Sequence, residues 1–307
     1  MEYIRQALER ARAHDMGGVD RAASIPRHTP FTPNLDHDWR DQESVPETAL
    51  DARHLESNRI VGHDETDFRA KSFDMLRTQV LQAMDHKNWR ILGITSPTPG
   101  CGKTVTAINL AFSIARQVER AAFLVDLDLQ KPQVAARLGL DGKTGVVSVL
   151  EERVGLPDAI VRGAVGGNHI NVLPAEATSD PSAWMSSRAM GTLLQQIKSG
   201  YPSHTVIVDL PPMLSSDDVI AVLPQLDCVL LVAAVGKSTV AEIEECNRHL
   251  PSASVVRLVL NKVPGLNAQY YTHYSSHASM KRQTGGLLAK LFFRGQAHRR
   301  AVTGHRD

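Results

Sequence analysis

Residues 91–104 of the chain read ILGITSPTPGCGKT: an apolar run, a turn rich in Pro and Gly, and a closing Gly-Lys-Thr. Residues 91–95 are typical of a buried strand, and residues 105–118 carry apolar side chains at the spacing of a helix. A strand, a Gly-rich turn that ends in Gly-Lys-Thr, and a helix together form the setting of a phosphate-binding loop. The stretch therefore predicts a site that binds the phosphates of a nucleotide.

The residue types in this turn suit an anionic ligand. Glycine at positions 100 and 102 lets the backbone approach a phosphate and direct its N–H groups inward, and the N-terminus of the following helix adds positive potential. Lys103 can reach the β- and γ-phosphates, and the Thr104 hydroxyl can ligate Mg²⁺. Pro97 stands where such loops usually begin with Gly. The predicted nucleotide-binding residues of the loop are Pro99, Gly100, Cys101, Gly102, Lys103, Thr104 and Val105.

Further apolar runs lack the alternation of a half-exposed strand and are typical of buried parallel strands; they lie at residues 121–125, 170–173, 205–208, 229–235 and 255–260. Helical patterns alternate with them at residues 66–84, 183–197 and 239–250. This order predicts an α/β fold with a doubly wound, mostly parallel sheet. Active sites in such sheets lie beyond the carboxyl ends of the strands.

Acidic side chains follow two of these predicted strands. Asp209 fits the role of a residue that holds Mg²⁺ directly or through water. Asp126 and Asp128 lie two residues apart at a strand end, and we expect their side chains to point in opposite directions; we expect Asp126 to face the metal or the incoming nucleophile. The alternative for each aspartate is capping of the next helix. The predicted metal ligands are Thr104, Asp126 and Asp209, and the predicted catalytic residues are Lys103, Asp126, Asp128 and Asp209.

Composition limits the class of protein. The chain has 307 residues, which suits one domain of ~200–250 residues with appendages. Its formal net charge of +1 gives no overall positive potential that would indicate binding to nucleic acid. The three cysteines show no metal-binding spacing, so a reduced, cytoplasmic setting is expected. The sequence shows neither a signal peptide nor a run of the ~20 apolar residues that a membrane span needs.

The tail differs in composition from the central part of the chain. Three of the five tyrosines, Tyr270, Tyr271 and Tyr274, lie among polar residues after the last predicted strand; they are either phosphoacceptors or incidental residues of a surface loop. Residues 281–307 are basic, with apolar side chains at helical spacing. Two alternatives stay open for this stretch: contact with a membrane surface, and a solvated tail or a helix packed on the protein itself.

These motifs together resemble the bacterial tyrosine kinases (BY-kinases) of capsule and exopolysaccharide synthesis, of the CpsD/CapB type, and above all the autokinases associated with exosortase loci. The shared pattern covers residues 75–79, 96–104, 125–132, 209–212, 215–218 and 260–262. The resemblance implies a P-loop NTPase fold of the SIMIBI, or MinD-like, type. It also implies ATP- and Mg²⁺-dependent autophosphorylation of the tail tyrosines, with Asn261 near the adenine.

The resemblance also bears on domains, partners and location. We expect an amphipathic helix at residues 1–14, a disordered linker at 15–60, an ATPase or kinase domain at 61–266 and a tail at 267–307. The implied partner is a membrane chain-length-determinant protein of the Wzz type. The kinase is expected in the cytoplasm, either free or peripheral at the inner face of the cell membrane.

Several residues depart from the family's pattern. Gln130 replaces an Arg, and the oligomerisation motif Glu-x-x-Arg-x-x-Arg aligns on Lys71, Asp74 and Arg77, of which only the last matches; a homo-oligomer therefore stays open. One alternative is a MinD/ParA-like nucleotide-switched ATPase. Gln130 and the few tyrosines favour it, whereas Thr98 in place of that group's signature lysine argues against it. A second alternative is a regulatory subunit that binds ATP without kinase activity.

Overall fold

An eight-stranded sheet forms the centre of the computed structural model, which describes residues 47–250 and 254–264. Its strands lie in the order β1-β4-β5-β3-β6-β2-β7-β8, and among them only β4 and β5 pair antiparallel. The predicted α/β fold with a mostly parallel sheet is confirmed. The strands are β1 Glu47–Ala49, β2 Ile91–Thr95, β3 Ala121–Asp126, β4 Val161–Val165, β5 Asn168–Leu173, β6 His204–Asp209, β7 Cys228–Ala234 and β8 Ser254–Asn261.

Helices cover both faces of the sheet. Alternate residues of β3 enter two different hydrophobic clusters, Phe123 and Val125 on one side and Ala122 and Leu124 on the other, as the pleat of a strand requires. Burial on both faces explains why the central strands are apolar throughout. The helices are α1 Ala52–Ser57, α2 Ala70–Lys87, α3 Lys103–Ala115, α4 Val134–Leu138, α5 Val146–Leu150, α6 Leu156–Ala159, α7 Pro181–Met185, α8 Arg188–Gly200, α9 Asp218–Val222 and α10 Val240–His249.

Side-chain caps set several helix boundaries. The helix predicted at residues 183–197 is two helices, because the Ser187 hydroxyl accepts a hydrogen bond from Met190 N and begins α8 there. The helix predicted from residue 66 begins at Ala70, after a turn in which Asp64 and Asp67 accept from backbone N–H groups. Helix α10 begins as predicted, at a capping box formed by Thr239 and Glu242.

The structure of residues 47–60 differs from the predicted disordered linker. The sequence placed them in a disordered linker, but they form β1 and α1, and Leu55 and Ile60 are buried in the hydrophobic cluster that also holds α3. Strand β1 is too short and too exposed to show periodicity, and its pairing with β4 is not local in sequence. Antiparallel β4 was also missed, as were the short helices α4, α5, α6 and α9.

Several expectations lie outside the described residues. They are the helix at residues 1–14, the linker up to residue 46, the phosphoacceptor tyrosines at 270, 271 and 274, and the basic stretch at 281–307. Within the described ranges, no helix has both the length and the apolar character to cross a membrane.

A partly buried histidine gives the fold a predicted pH dependence. His204 lies at the start of β6, where its ring contacts that of Tyr201 and its Nε2 lies 3.2 Å from Asn171 Nδ2. Burial, with smaller contributions from His169, Arg90 and Arg162, lowers the pKa of His204 to about 4. The unfolded chain takes up this proton near pH 6.5, so acid favours unfolding.

We expect the free energy of unfolding to fall by up to about 3 kcal/mol as the pH drops from about 6.5 to 4, because the unfolded state binds the extra proton in that window. His204→Gln keeps an acceptor for Asn171 but does not titrate. The free energy of unfolding of this variant, measured by urea denaturation at a series of pH values, should therefore fall less steeply than that of the wild type. The exposed His86 provides the control, since His86→Gln should follow the wild type. Parallel curves for wild type and His204→Gln would contradict the assignment.

Candidate active site

The loop between β2 and α3 has a backbone that only glycine adopts easily. Gly100 and Gly102 have φ of 79° and 100°, in the left-handed region. A methyl group at Gly102 would lie 2.3 Å from Asn261 Nδ2, and one at Gly100 would lie 2.6 Å from Lys237 Nζ. Both positions therefore favour glycine on conformational grounds, and Gly102 does so on steric grounds as well, because the Asn261 amide beside it is held by hydrogen bonds. Helix α3 begins directly after Gly102, at Lys103, so the loop closes on a helix N-terminus.

The segment that follows β6 holds the start of the loop. Met213 N donates to Ser96 O (2.8 Å) and Leu214 N donates to Pro97 O (3.1 Å). The Thr95 hydroxyl donates in return to Pro211 O at 2.7 Å. These bonds join the carboxyl ends of β2 and β6 and bring Asp209 beside the loop.

Lys103 is a buried cation among carboxylates. Its Nζ lies 2.8 Å from Asp128 Oδ2 and 3.5 Å from Asp209 Oδ1. Burial alone would lower the pKa of Lys103, but Asp209 and Asp128 outweigh it and raise that pKa. The ammonium is therefore retained at the N-terminus of α3, where a phosphate would meet it.

Asp126 makes the contacts of a helix cap. Its Oδ1 accepts from Asp128 N (3.0 Å), and its Oδ2 accepts from Gln133 N (3.1 Å) and Val134 N (3.0 Å) where α4 begins. Burial, and then the charge of Asp209, raise the pKa of Asp126 to about 7. Of the two aspartates after β3, Asp128 is the one that pairs with Lys103. The metal role predicted for Asp126 stays a prediction.

Asp209 is fully buried, and the Lys103 ammonium, 3.5 Å from Asp209 Oδ1, is the ion-pair partner of its carboxylate within the described part of the chain. Burial raises the pKa of Asp209, and Lys103 opposes that shift. The Asp209 carboxylate, beside the buried Thr104, offers the oxygen ligands that a hard cation such as Mg²⁺ prefers. The described residues contain no group of three or more His, Cys, Asp or Glu side chains able to hold a metal, so Mg²⁺ here would take its other ligands from phosphates and water.

Strand β8 reaches the loop from its other side. Asn261 Nδ2 donates to Cys101 O at 2.9 Å, and Lys262 Nζ donates to Gly100 O at 2.7 Å. The structure thus brings together the loop, Asp126, Asp128, Asp209 and Asn261, as the sequence predicted. No role was predicted for Lys262, although it follows Asn261 in the family's pattern.

Asn109 is a structural residue that the sequence analysis missed. Its Oδ1 accepts from Val61 N and Gly62 N, both at 2.7 Å, and its Nδ2 donates to Arg59 O (3.0 Å) and Val105 O (2.7 Å). The amide is fully buried and ties residues 59–62 to the helix that follows the loop. A polar residue inside the apolar pattern of residues 105–118 was the available signal.

Arg77, the position that matches the family's oligomerisation motif, forms hydrogen bonds within the chain. Arg77 Nη1 lies 3.2 Å from Asp74 Oδ1 and donates to Ser113 O at 2.9 Å. Asp74 also pairs with Arg116 and accepts from the Ser113 hydroxyl. This cluster joins α2 to α3, which is a sufficient structural role for Arg77.

A phosphate-binding loop at the carboxyl end of a parallel sheet, with a buried lysine and carboxylates beside it, defines a P-loop nucleotide-binding domain. Residues 92–284 match the family described as the CobQ/CobB/MinD/ParA nucleotide binding domain, and the chain belongs to that family. The relatives that the chain matches include bacterial tyrosine-protein kinases, and the resemblance to the BY-kinases is confirmed.

Identity and coverage differ among two relatives and one solved structure. Tyrosine-protein kinase YwqD of Bacillus subtilis (strain 168) is 29% identical over 185 residues, 60% of this chain and 76% of that protein. Tyrosine-protein kinase wzc of Salmonella typhimurium is 25% identical over 240 residues, 78% of this chain and 32% of that protein. The kinase domain of Escherichia coli tyrosine kinase ETK is 27% identical with a TM-score of 0.61, covering 66% of this chain and 80% of that one. The chain spans about a third of the length of several curated relatives.

Proposed function

We propose that the protein is an ATP-dependent, Mg²⁺-requiring protein-tyrosine autokinase that regulates exopolysaccharide or capsule biosynthesis. The observation that carries the proposal is the buried Lys103 ammonium, held between Asp128 and Asp209 at the start of α3. A cation in this place can meet the charge that develops on a transferred γ-phosphoryl group. The names of the curated relatives support tyrosine as the acceptor.

Each side chain has a role in this transfer. The loop N–H groups and the N-terminus of α3 bind the phosphates, and Lys103 neutralises β- and γ-phosphate charge. Thr104 and Asp209 would hold Mg²⁺, which would supply further neutralisation of the phosphate charge. The tyrosine oxygen attacks the γ-phosphorus, the bond from that phosphorus to the bridging oxygen breaks, and ADP leaves. The tyrosine proton passes to the Asp126–Asp128 pair, and a pKa of about 7 suits Asp126 to accept it.

The acceptors can be tested directly. We expect purified protein incubated with γ-labelled ATP to carry phosphotyrosine at Tyr270, Tyr271 and Tyr274. Replacing all three with Phe keeps the rings and removes the hydroxyls, so labelling should fall at least about tenfold while ATP binding persists. Tyr201→Phe is the control, because Tyr201 is buried and its loss should leave labelling unchanged. Label on Ser or Thr, or no label, would contradict the proposal.

The nucleotide-switched ATPase is the second candidate, and Gln130 favours it. This residue is exposed beside the site and replaces the Arg of the kinase motif. Steady ATP hydrolysis without phosphotyrosine in the same assay would support this candidate. ATP binding with neither activity would support a regulatory subunit.

We also propose a partner and a location for the kinase. A membrane chain-length-determinant protein of the Wzz type is the partner that the resemblance supports, and a homo-oligomer would let one subunit's tail reach its neighbour's site. The basic composition of residues 281–307 supports contact with an anionic membrane surface. Flotation with anionic vesicles, comparing the intact chain with one truncated before Lys281, tests that contact.

A further inference from the structure

Two consecutive residues at the end of β8 hold two consecutive carbonyls of the phosphate-binding loop. Asn261 Nδ2 donates to Cys101 O, and Lys262 Nζ donates to Gly100 O. The other end of the Asn261 amide is also occupied, since Oδ1 accepts from Lys262 N at 2.8 Å. These two bonds fix which way the amide faces, because a flipped amide would set one oxygen against another.

The direction of a carbonyl decides the direction of the next N–H. In a trans peptide the C=O and the N–H of one unit point in opposite directions. Holding Gly100 O therefore directs the Cys101 N–H away from β8, and holding Cys101 O does the same for the Gly102 N–H. N–H groups aligned in this way form the concave site that binds phosphate in such loops.

The backbone of Lys262 is a second, independent observation. Its φ is 58°, a conformation that residues other than Gly seldom adopt. Strained backbone of this kind persists where the surrounding structure holds it. With the backbone in this conformation, Lys262 Nζ bonds to Gly100 O.

We propose that Asn261 and Lys262 are positioning residues that set the phosphate-binding loop for a triphosphate, and that Asn261 does not read the base. This inference rests on the proposed nucleotide site but not on the kinase activity. It differs from the expectation that Asn261 lies near the adenine, because the two bonds observed for the Asn261 amide go to the loop and to Lys262. The bonds of both residues to the loop act on phosphates that every nucleotide shares.

The test compares ligands with and without a base. Binding of ATP, GTP and inorganic tripolyphosphate is measured for the full chain and for Asn261→Ala and Lys262→Met. Each variant should weaken binding of all three ligands by the same factor, about tenfold for the loss of one such bond. Lys262→Arg keeps a donor and should restore most of the affinity. In the double variant the loss should be smaller than the product of the single effects, because both bonds hold one loop.

Lys237 supplies a matched control for charge. It is exposed, and its Nζ lies against Gly100 with no hydrogen bond to a loop carbonyl among the described contacts. Lys237→Met should weaken binding only slightly, and raised salt should abolish that difference, whereas the Lys262→Met loss should persist in salt.

Three results would overturn the inference: an Asn261→Ala loss seen with ATP but not with tripolyphosphate, a Lys262→Met loss that salt abolishes, or no loss in either variant. Wild-type binding without phosphotyrosine would refute the kinase function and leave this inference standing. A wild type that binds none of the three ligands would refute both.

Discussion

Replacing Lys103 with Met should lower phosphoryl transfer by about 10³-fold or more, because the γ-phosphoryl group loses the cation that meets its developing charge. In the free protein the same change leaves Asp126, Asp128 and Asp209 without their buried counter-ion. Label transfer from γ-labelled ATP, followed by phosphotyrosine mapping, measures the effect.

The fold of the Lys103→Met variant needs its own control. Circular dichroism and a melting curve show whether the variant is folded, and Lys87→Met replaces an exposed lysine at the end of α2 and should transfer label normally. A folded Lys103→Met protein that labels as fast as the wild type would exclude the proposed site.

Asn109→Leu should lower the free energy of unfolding by at least about 3 kcal/mol. Leucine fills the space of the amide but leaves the buried Val61 N and Gly62 N, and the part-buried Arg59 O, without their partner. Each buried group left unpaired costs about 1–3 kcal/mol. Urea unfolding followed by circular dichroism measures the change.

Asn247→Leu is the matched control for Asn109→Leu. Asn247 is an exposed asparagine of α10, and surface changes of this kind usually stay within about 0.5 kcal/mol. A loss below about 1 kcal/mol for Asn109→Leu would show that water or a local shift satisfies the freed backbone groups.

The sequence predicted the parts of the fold whose signals are local. The loop at residues 96–102 and the acidic residues at 126, 128 and 209 follow apolar runs, and parallel strands bring their carboxyl ends to one edge. The divergence expected for Asp126 and Asp128 has no basis in strand alternation, which puts residues two apart on the same face. Which of them contacts Lys103 depends on the turn into α4, and no periodicity encodes that turn.

Other features depend on partners far along the chain. Strand β1 has three exposed residues and is identifiable only through its pairing with β4. Asn109 looks like an interruption of an apolar helix until residues 59–62 are placed beside it. The Asn261 bond to Cys101 likewise joins segments that are distant in sequence. Propensity and periodicity describe neither kind of contact, because both describe neighbours along the chain.

The three-residue pairing of β1 with β4 has a consequence for local unfolding. Strand β1 lies at the edge of the sheet and bonds through Glu47, Thr48 and Ala49 to one neighbouring strand, so it belongs to the part of the domain that opens at least cost. Asn109 holds the chain firmly again from Arg59 onward. Local unfolding that starts at β1 and ends before Arg59 leaves α3 and the phosphate-binding loop intact. Unfolding that extends beyond Arg59 removes the buried partners of Asn109 in α3. Residues 59–62 therefore mark the boundary between local fluctuations that spare the nucleotide site and larger ones that disrupt it.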